Sequence, residues 1–249
     1  MIRVDPDTVM PILRVRAGDV PNRVLVVGDP ARAERVSHRL DGAAEISRNR
    51  EYVMFAGDHR GERIGVVSHG VGSAGAAVCF EELCRSGARR LVRAGTTGGL
   101  QPDVLDGSLV IVRGAVRDEG LTSKLVPLSF PALASIDLVV ALRAACVGVT
   151  VPVAEGIVLT SDLFYPHDVL GGDLVLWQRA GVVAVEMECA ALFVTAALNG
   201  VEAGAILAVD GNPLLARDDD MSGYDPHRGI VDEAVEAMIG AALDVVGAP

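Results

Sequence analysis

RVLVVG at residues 23–28 is apolar at four successive positions and ends on a glycine that opens into GDPAR. A half-buried strand alternates apolar and polar residues, whereas an unbroken apolar run of this length belongs to a strand covered on both faces. Runs of the same kind recur at 63–69 (RIGVVSH), 89–94 (RRLVRA), 108–112 (SLVIV), 154–159 (AEGIVL) and 203–209 (AGAILAV). Segments with helical spacing lie between and after them, at 73–85, 137–146, 188–198 and 229–246. In the last of these Ile230, Val231, Val235, Met238, Ile239 and Leu243 share a face. The alternation predicts an α/β fold, a single domain over 1–249 with a central mixed, largely buried β-sheet flanked by helices.

Charge narrows the partners. With 22 Lys and Arg against 33 Asp and Glu, the net charge of −11 repels nucleic-acid backbones and anionic lipid, so neither is an expected partner. An anionic ligand then needs a few arginines converging against the overall sign. Cys79, Cys84, Cys146 and Cys189 form no CxxC pair and sit in apolar runs, so they read as small buried hydrophobes, with no metal site expected. Residues 1–20 mix acids, prolines and arginines without an apolar core, which argues against a signal peptide or anchor and for a cytoplasmic protein.

Several strand ends carry residues suited to small-molecule chemistry. The first run stops at Gly28-Asp29-Pro30 with Arg32 just beyond, a glycine turn that exposes backbone N–H groups beside a guanidinium; a plain turn reads the same way. The second runs through His69 into GVGSAG and a helix, without the GxGxxG setting and acid of a nicotinamide site. The third carries Arg93 inside apolar sequence, followed by Gly95, Thr96, Thr97, Gly98 and Gly99. A buried arginine needs either an anionic ligand or a core carboxylate, and the sequence leaves both open. At 185–188 (VEME) two acids meet a helix start, fit either to hold paired hydroxyls or to cap the helix. Asp210 follows the last strand, placed for proton transfer or for an ordinary turn. The polar stretch 215–228, with Asp218, Asp219 and Asp220, reads as solvated surface or as a lid.

In order and spacing, VVGDPAR (26–32), NREY (49–52), SHGVGSAG (68–75), RAGTTGGLQPD (93–103), SDLFYPHD (161–168), VEME (185–188) and ILAVDGNP (206–213) resemble the nucleoside phosphorylase family. That family includes the hexameric purine nucleoside phosphorylases and the uridine phosphorylases, and the resemblance spans about residues 12–245. The match around SHGVGSAG…CFEEL and the VDG-x-P element is most similar to the purine enzymes of protozoan parasites. The resemblance implies phosphorolysis of a purine nucleoside, with inorganic phosphate as co-substrate and no cofactor or metal. Uridine and 5′-methylthio nucleosides are the alternative substrates. It implies that Gly28, Arg32, Arg93 and Thr96 bind phosphate, joined by Arg50 from an adjacent subunit of a homo-oligomer, a hexamer built as three dimers. Met187 and Glu188 would hold the ribose, Tyr165 and Val185 would pack on the base, and Asp210 would protonate the departing purine; Asp210 and Arg93 are the implied catalytic pair.

The sequence departs from the family twice. Where uridine phosphorylases carry a Gln and an Arg after the FYP element, this chain has His167-Asp168-Val169-Leu170, which argues against a pyrimidine. Where the family has an N-terminal histidine at the ribose 5′-hydroxyl, ungapped alignment places Ile12, an apolar residue suited to a methylthio group.

Overall fold

In the computed structural model, which describes residues 3–165, 169, 171–214, 225 and 228–248, the apolar runs are strands of one ten-stranded sheet. The chain runs β1 (Arg23–Val27), α1 (Pro30–Ser37), β2 (Asp41–Asn49), β3 (Tyr52–His59), β4 (Glu62–Ser68) and α2 (Ser73–Arg85). It continues through β5 (Arg90–Gly99), β6 (Leu109–Asp118), α3 (Thr122–Leu125), β7 (Ala132–Leu133), α4 (Ile136–Ala145) and β8 (Val153–Ser161). Last come α5 (Leu174–Arg179), β9 (Ala184–Glu186), α6 (Cys189–Asn199), β10 (Glu202–Gly211) and α7 (Gly229–Val246).

Strand order is β10-β6-β8-β9-β5-β1-β4-β3-β2, and β10 also pairs with β5. That extra pairing closes β5, β10, β6, β8 and β9 into a circuit, so β5 belongs both to this ring and to the open sheet running through β1 to β2. The long strand serves three neighbours along its length: Arg93 lies in register with Val26 of β1 and Ala205 of β10, while Gly98 faces Val185 of β9. β1 pairs in parallel with β4 and β5, and β5 with β10, so the carboxyl ends of these four strands open on one side. Ligands of α/β sheets bind on that side.

Alternation within the apolar strands sorts the core into two layers. Val24 and Val26 join α2 and α6 in one cluster with Phe80 and Phe193; Leu25 and Val27 join α1, α4 and α7 in the other with Leu142 and Met238. Burying both faces is what the unbroken apolar runs require. Helices α2 and α7 run over the residues the sequence predicts. β5 and β6 extend several residues past their apolar cores, through Gly99 and Asp118.

The sequence reading omits α1, β2, β3 and the short β7, α3 and α5. In α1, Asp29 caps the helix by accepting from the Ala31 N–H at 2.9 Å with Pro30 at the first helical position, so the GDPAR turn is also a helix start. β2 is mostly exposed and carries no apolar run, so its strand character comes from pairing with β3. Among the described residues no helix is long and apolar enough to cross a membrane. Residues 166–168, 170, 215–224, 226 and 227 lie outside the described residues, and with them His167, Asp168, Leu170, Asp218, Asp219 and Asp220.

Candidate active site

Arg93 sits where the ring and the open sheet share β5, and it is buried. Its Nη2 donates to Glu188 Oε2 at 2.5 Å and lies 3.5 Å from Glu186 Oε2. Its Nη1 lies 3.0 Å from His69 Nε2, and its Nε has no hydrogen-bond partner among the described residues. Of the two partners the sequence leaves open for Arg93, the one the chain itself supplies is a core carboxylate. The guanidinium folds back over Gly95, where a Cβ would come within 2.7 Å of it, so only glycine admits this conformation. Burial works against the charge, and the Glu188 and Glu186 carboxylates outweigh it, leaving Arg93 more firmly protonated than a free arginine.

The two acids of VEME are held differently. Glu186 caps α6: its carboxylate accepts from the N–H groups of Glu188 (2.8 Å) and Cys189 (2.9 Å) and from Thr160 Oγ1 at 2.5 Å. Glu188 instead faces Arg93 with one oxygen and accepts the Gly72 N–H with the other at 2.6 Å, at the start of α2. Burial pushes the Glu188 carboxyl up, and Arg93 opposes the shift. Met187 is part-buried and its carbonyl accepts from Ser73 Oγ at 2.7 Å.

Arg32 stands on the first turn of α1, part-buried. Among the described residues it has no hydrogen bond or ion pair. Burial lowers its pKa first and the nearby Arg93 charge lowers it further, against Asp29 and Asp210. Arg32, Arg93 and Asp210 therefore share one electrostatic neighbourhood at the carboxyl ends of β1, β5 and β10. Asp210 is buried there, and its carbonyl accepts from Arg228 Nη2 at 3.0 Å. Gly28 ends β1, and a Cβ on it would meet nothing closer than 3.5 Å, so packing within the chain does not demand glycine. Thr96 is part-buried on β5, in register with Ala208.

Three predicted site residues stand apart. Arg50 is exposed in the β2–β3 turn with φ of 55°, and among the described residues it makes no hydrogen bond or ion pair. Tyr165 is 72% exposed and packs edge-on against Phe164; Val185 packs in a third small cluster with Leu100 and Leu159. The segment with Ile12 is clamped beside the Arg50 turn: Glu82 accepts the Ile12 and Leu13 N–H groups at 2.9 and 2.7 Å, and Asn49 Nδ2 donates to the Ile12 carbonyl at 2.8 Å. Sequence reasoning missed His69 and Gly72 as members of this network. A histidine ending an apolar strand was the one visible signal. An apolar groove of about 420 Å³ lined by Gly114, Phe130, Leu133 and Ile157 touches none of these residues.

The chain is similar to known proteins over nearly its whole length. The family described as the Phosphorylase superfamily matches residues 22–246. A purine nucleoside phosphorylase of Plasmodium falciparum is 37% identical over 238 residues, 95% of each chain. A uridine phosphorylase of Treponema pallidum is 37% identical over 207 residues, 80% of each. The crystal structure of purine nucleoside phosphorylase from Toxoplasma gondii in complex with immucillin-H superposes with a TM-score of 0.91 at 32% identity, covering 99% of this chain and 98% of that one.

Proposed function

The chain belongs to the phosphorylase superfamily, and from that premise we propose that it is a nucleoside phosphorylase, a pentosyltransferase that splits purine nucleosides with inorganic phosphate. The observation that carries this reading is Arg32: a part-buried guanidinium that makes no hydrogen bond or ion pair among the described residues, near enough to Arg93 for that charge to lower its pKa, in a protein of net charge −11. Two like charges held together at strand ends are stabilised by a shared anion.

In this reading phosphate lies against Arg32 with the Gly28 backbone and Thr96. Arg93, already paired with Glu188, adds positive field from below rather than a free fork. Arg50, exposed and without a partner among the described residues, serves a neighbouring copy, so the active unit is a homo-oligomer. Glu188 and Met187 hold the ribose; Glu188 accepts hydrogen bonds from the hydroxyls with the oxygens that also accept from Gly72 and Arg93, and its charge stabilises the oxocarbenium-like sugar. Asp210 donates to the leaving base, and Tyr165 and Val185 pack against it. The reaction takes phosphate as co-substrate and needs no metal or cofactor, since arginines stand where a cation would. Four buried free thiols suit a cytoplasmic setting.

The test is base release from inosine, guanosine, adenosine, uridine and 5′-methylthioinosine, each with and without phosphate. Phosphate-dependent release, fastest with a 6-oxopurine, is the expected result. Release that ignores phosphate would make the protein a hydrolase and remove the reading; uridine ahead of inosine would reverse the base preference.

A further inference from the structure

His69 is fully buried at the end of β4, its ring edge-on to Phe80 of α2 with centroids 5.2 Å apart. Both ring nitrogens have partners. Nδ1 lies 2.9 Å from the Gly70 carbonyl and Nε2 lies 3.0 Å from Arg93 Nη1. A carbonyl only accepts and a guanidinium only donates. Nδ1 must therefore carry the ring's proton and Nε2 must be its acceptor. A doubly protonated ring would set two donors face to face.

The contacts form a closed ring. His69 accepts from Arg93, Arg93 donates to Glu188, and Glu188 accepts from Gly72, three residues along the chain from His69. Gly70, at φ of 75°, turns its carbonyl onto the imidazole, and a Cβ there would meet Glu51 Cγ at 2.8 Å. Gly95, lacking a Cβ, leaves room for the guanidinium. Remove the His69 acceptor and Arg93 is held on the Glu188 side alone, with a second buried N–H left unsatisfied beside its Nε.

We propose that His69 is a positioning residue: as the neutral Nδ1–H tautomer it fixes the Arg93 guanidinium, and through it the Glu188 carboxylate, in the orientation the reaction uses. This rests on the phosphorylase reading of the same site. It assigns the histidine no contact with substrate and no proton transfer.

Two variants and one spectrum test it. His69→Gln presents Oε1 near the place of Nε2 and keeps an acceptor for Arg93; His69→Phe keeps an aromatic ring against Phe80 and has no acceptor. If His69 served only packing, Phe would outperform Gln. The proposal expects the reverse order: kcat/KM for inosine with saturating phosphate falls about 10- to 100-fold in His69→Phe, as for misplaced catalytic groups, and stays within a few-fold of wild type in His69→Gln. Phe equal to or better than Gln would overturn it. Ring ¹⁵N shifts of the wild-type protein at pH 7 should show Nδ1 protonated and Nε2 bare; an Nε2–H tautomer or an imidazolium would overturn it without any assay. Wild-type turnover that needs no phosphate would sink the phosphorylase reading, while the tautomer and the order of the two variants would still judge His69.

Discussion

Glu186 and Glu188 stand two positions apart, carry the same group and are both buried, yet one holds backbone amides and the other holds a guanidinium. Local sequence offers both acids the same choices, and the choice is settled by which side of the chain faces β5. For the same reason Arg93 stayed ambiguous: its partner lies 95 residues away along the chain. Asp210 is a different case, a buried carboxyl at the end of β10 whose role is decided by what is bound beside it. Asp210→Asn keeps the volume and removes the acid. Turnover on inosine should fall by about 10²- to 10⁴-fold, the usual worth of a general acid, while inosine binding and Tm hold. Steady-state kinetics beside a binding titration checks this; unchanged kcat would take Asp210 out of the mechanism.

Elements were legible where burial is two-sided. β1, β4 and β10 announce themselves by unbroken apolar runs, and α2 and α7 by helical spacing. The β2–β3 hairpin does not. Its outer strand is exposed and polar, so nothing in DGAAEISRN distinguishes a strand from a loop until β3 is beside it. That hairpin puts Arg50 in the left-handed region, which costs a non-glycine residue about 1 kcal/mol. Arg14 and Arg60 share this conformation, so the strain alone does not mark Arg50, which is also exposed and makes no hydrogen bond or ion pair among the described residues. Arg50→Gly should therefore leave Tm unchanged or slightly raised, the relieved strain offsetting the added freedom of the unfolded glycine. The same variant should raise the KM for phosphate. Thermal unfolding and phosphate titration of one preparation separate the two effects; a lower Tm with normal phosphate KM would make Arg50 a structural residue.

At the scale of the molecule, acidity and burial meet at His69. Burial first, then the charge of Arg93 on β5 and of Arg32 on α1, holds the imidazole well below its ordinary pKa. The folded chain refuses a proton that the unfolded chain accepts near pH ~6.5. Below that point the unfolded state binds more protons, so stability falls on acidification, by at most about 1.4 kcal/mol per pH unit from this group, and is flat above it. His69→Gln lacks the titration. Denaturant unfolding of both proteins at pH 7.5 and 5.5 should show the wild-type advantage shrinking at the lower pH; a constant gap would mean the ring is not held neutral.

The four cysteines add a practical consequence. Cys79, Cys84 and Cys189 lie in the layer packed under α2 and α6, and Cys146 lies in the opposite layer with α4 and α7. None is bridged, and all are shielded. Alkylating reagents can reach them only when the covering layer lifts, so mass spectrometry after timed labelling would report the two halves of the interior separately. The protein carries its own pair of clocks, one for each side of the sheet.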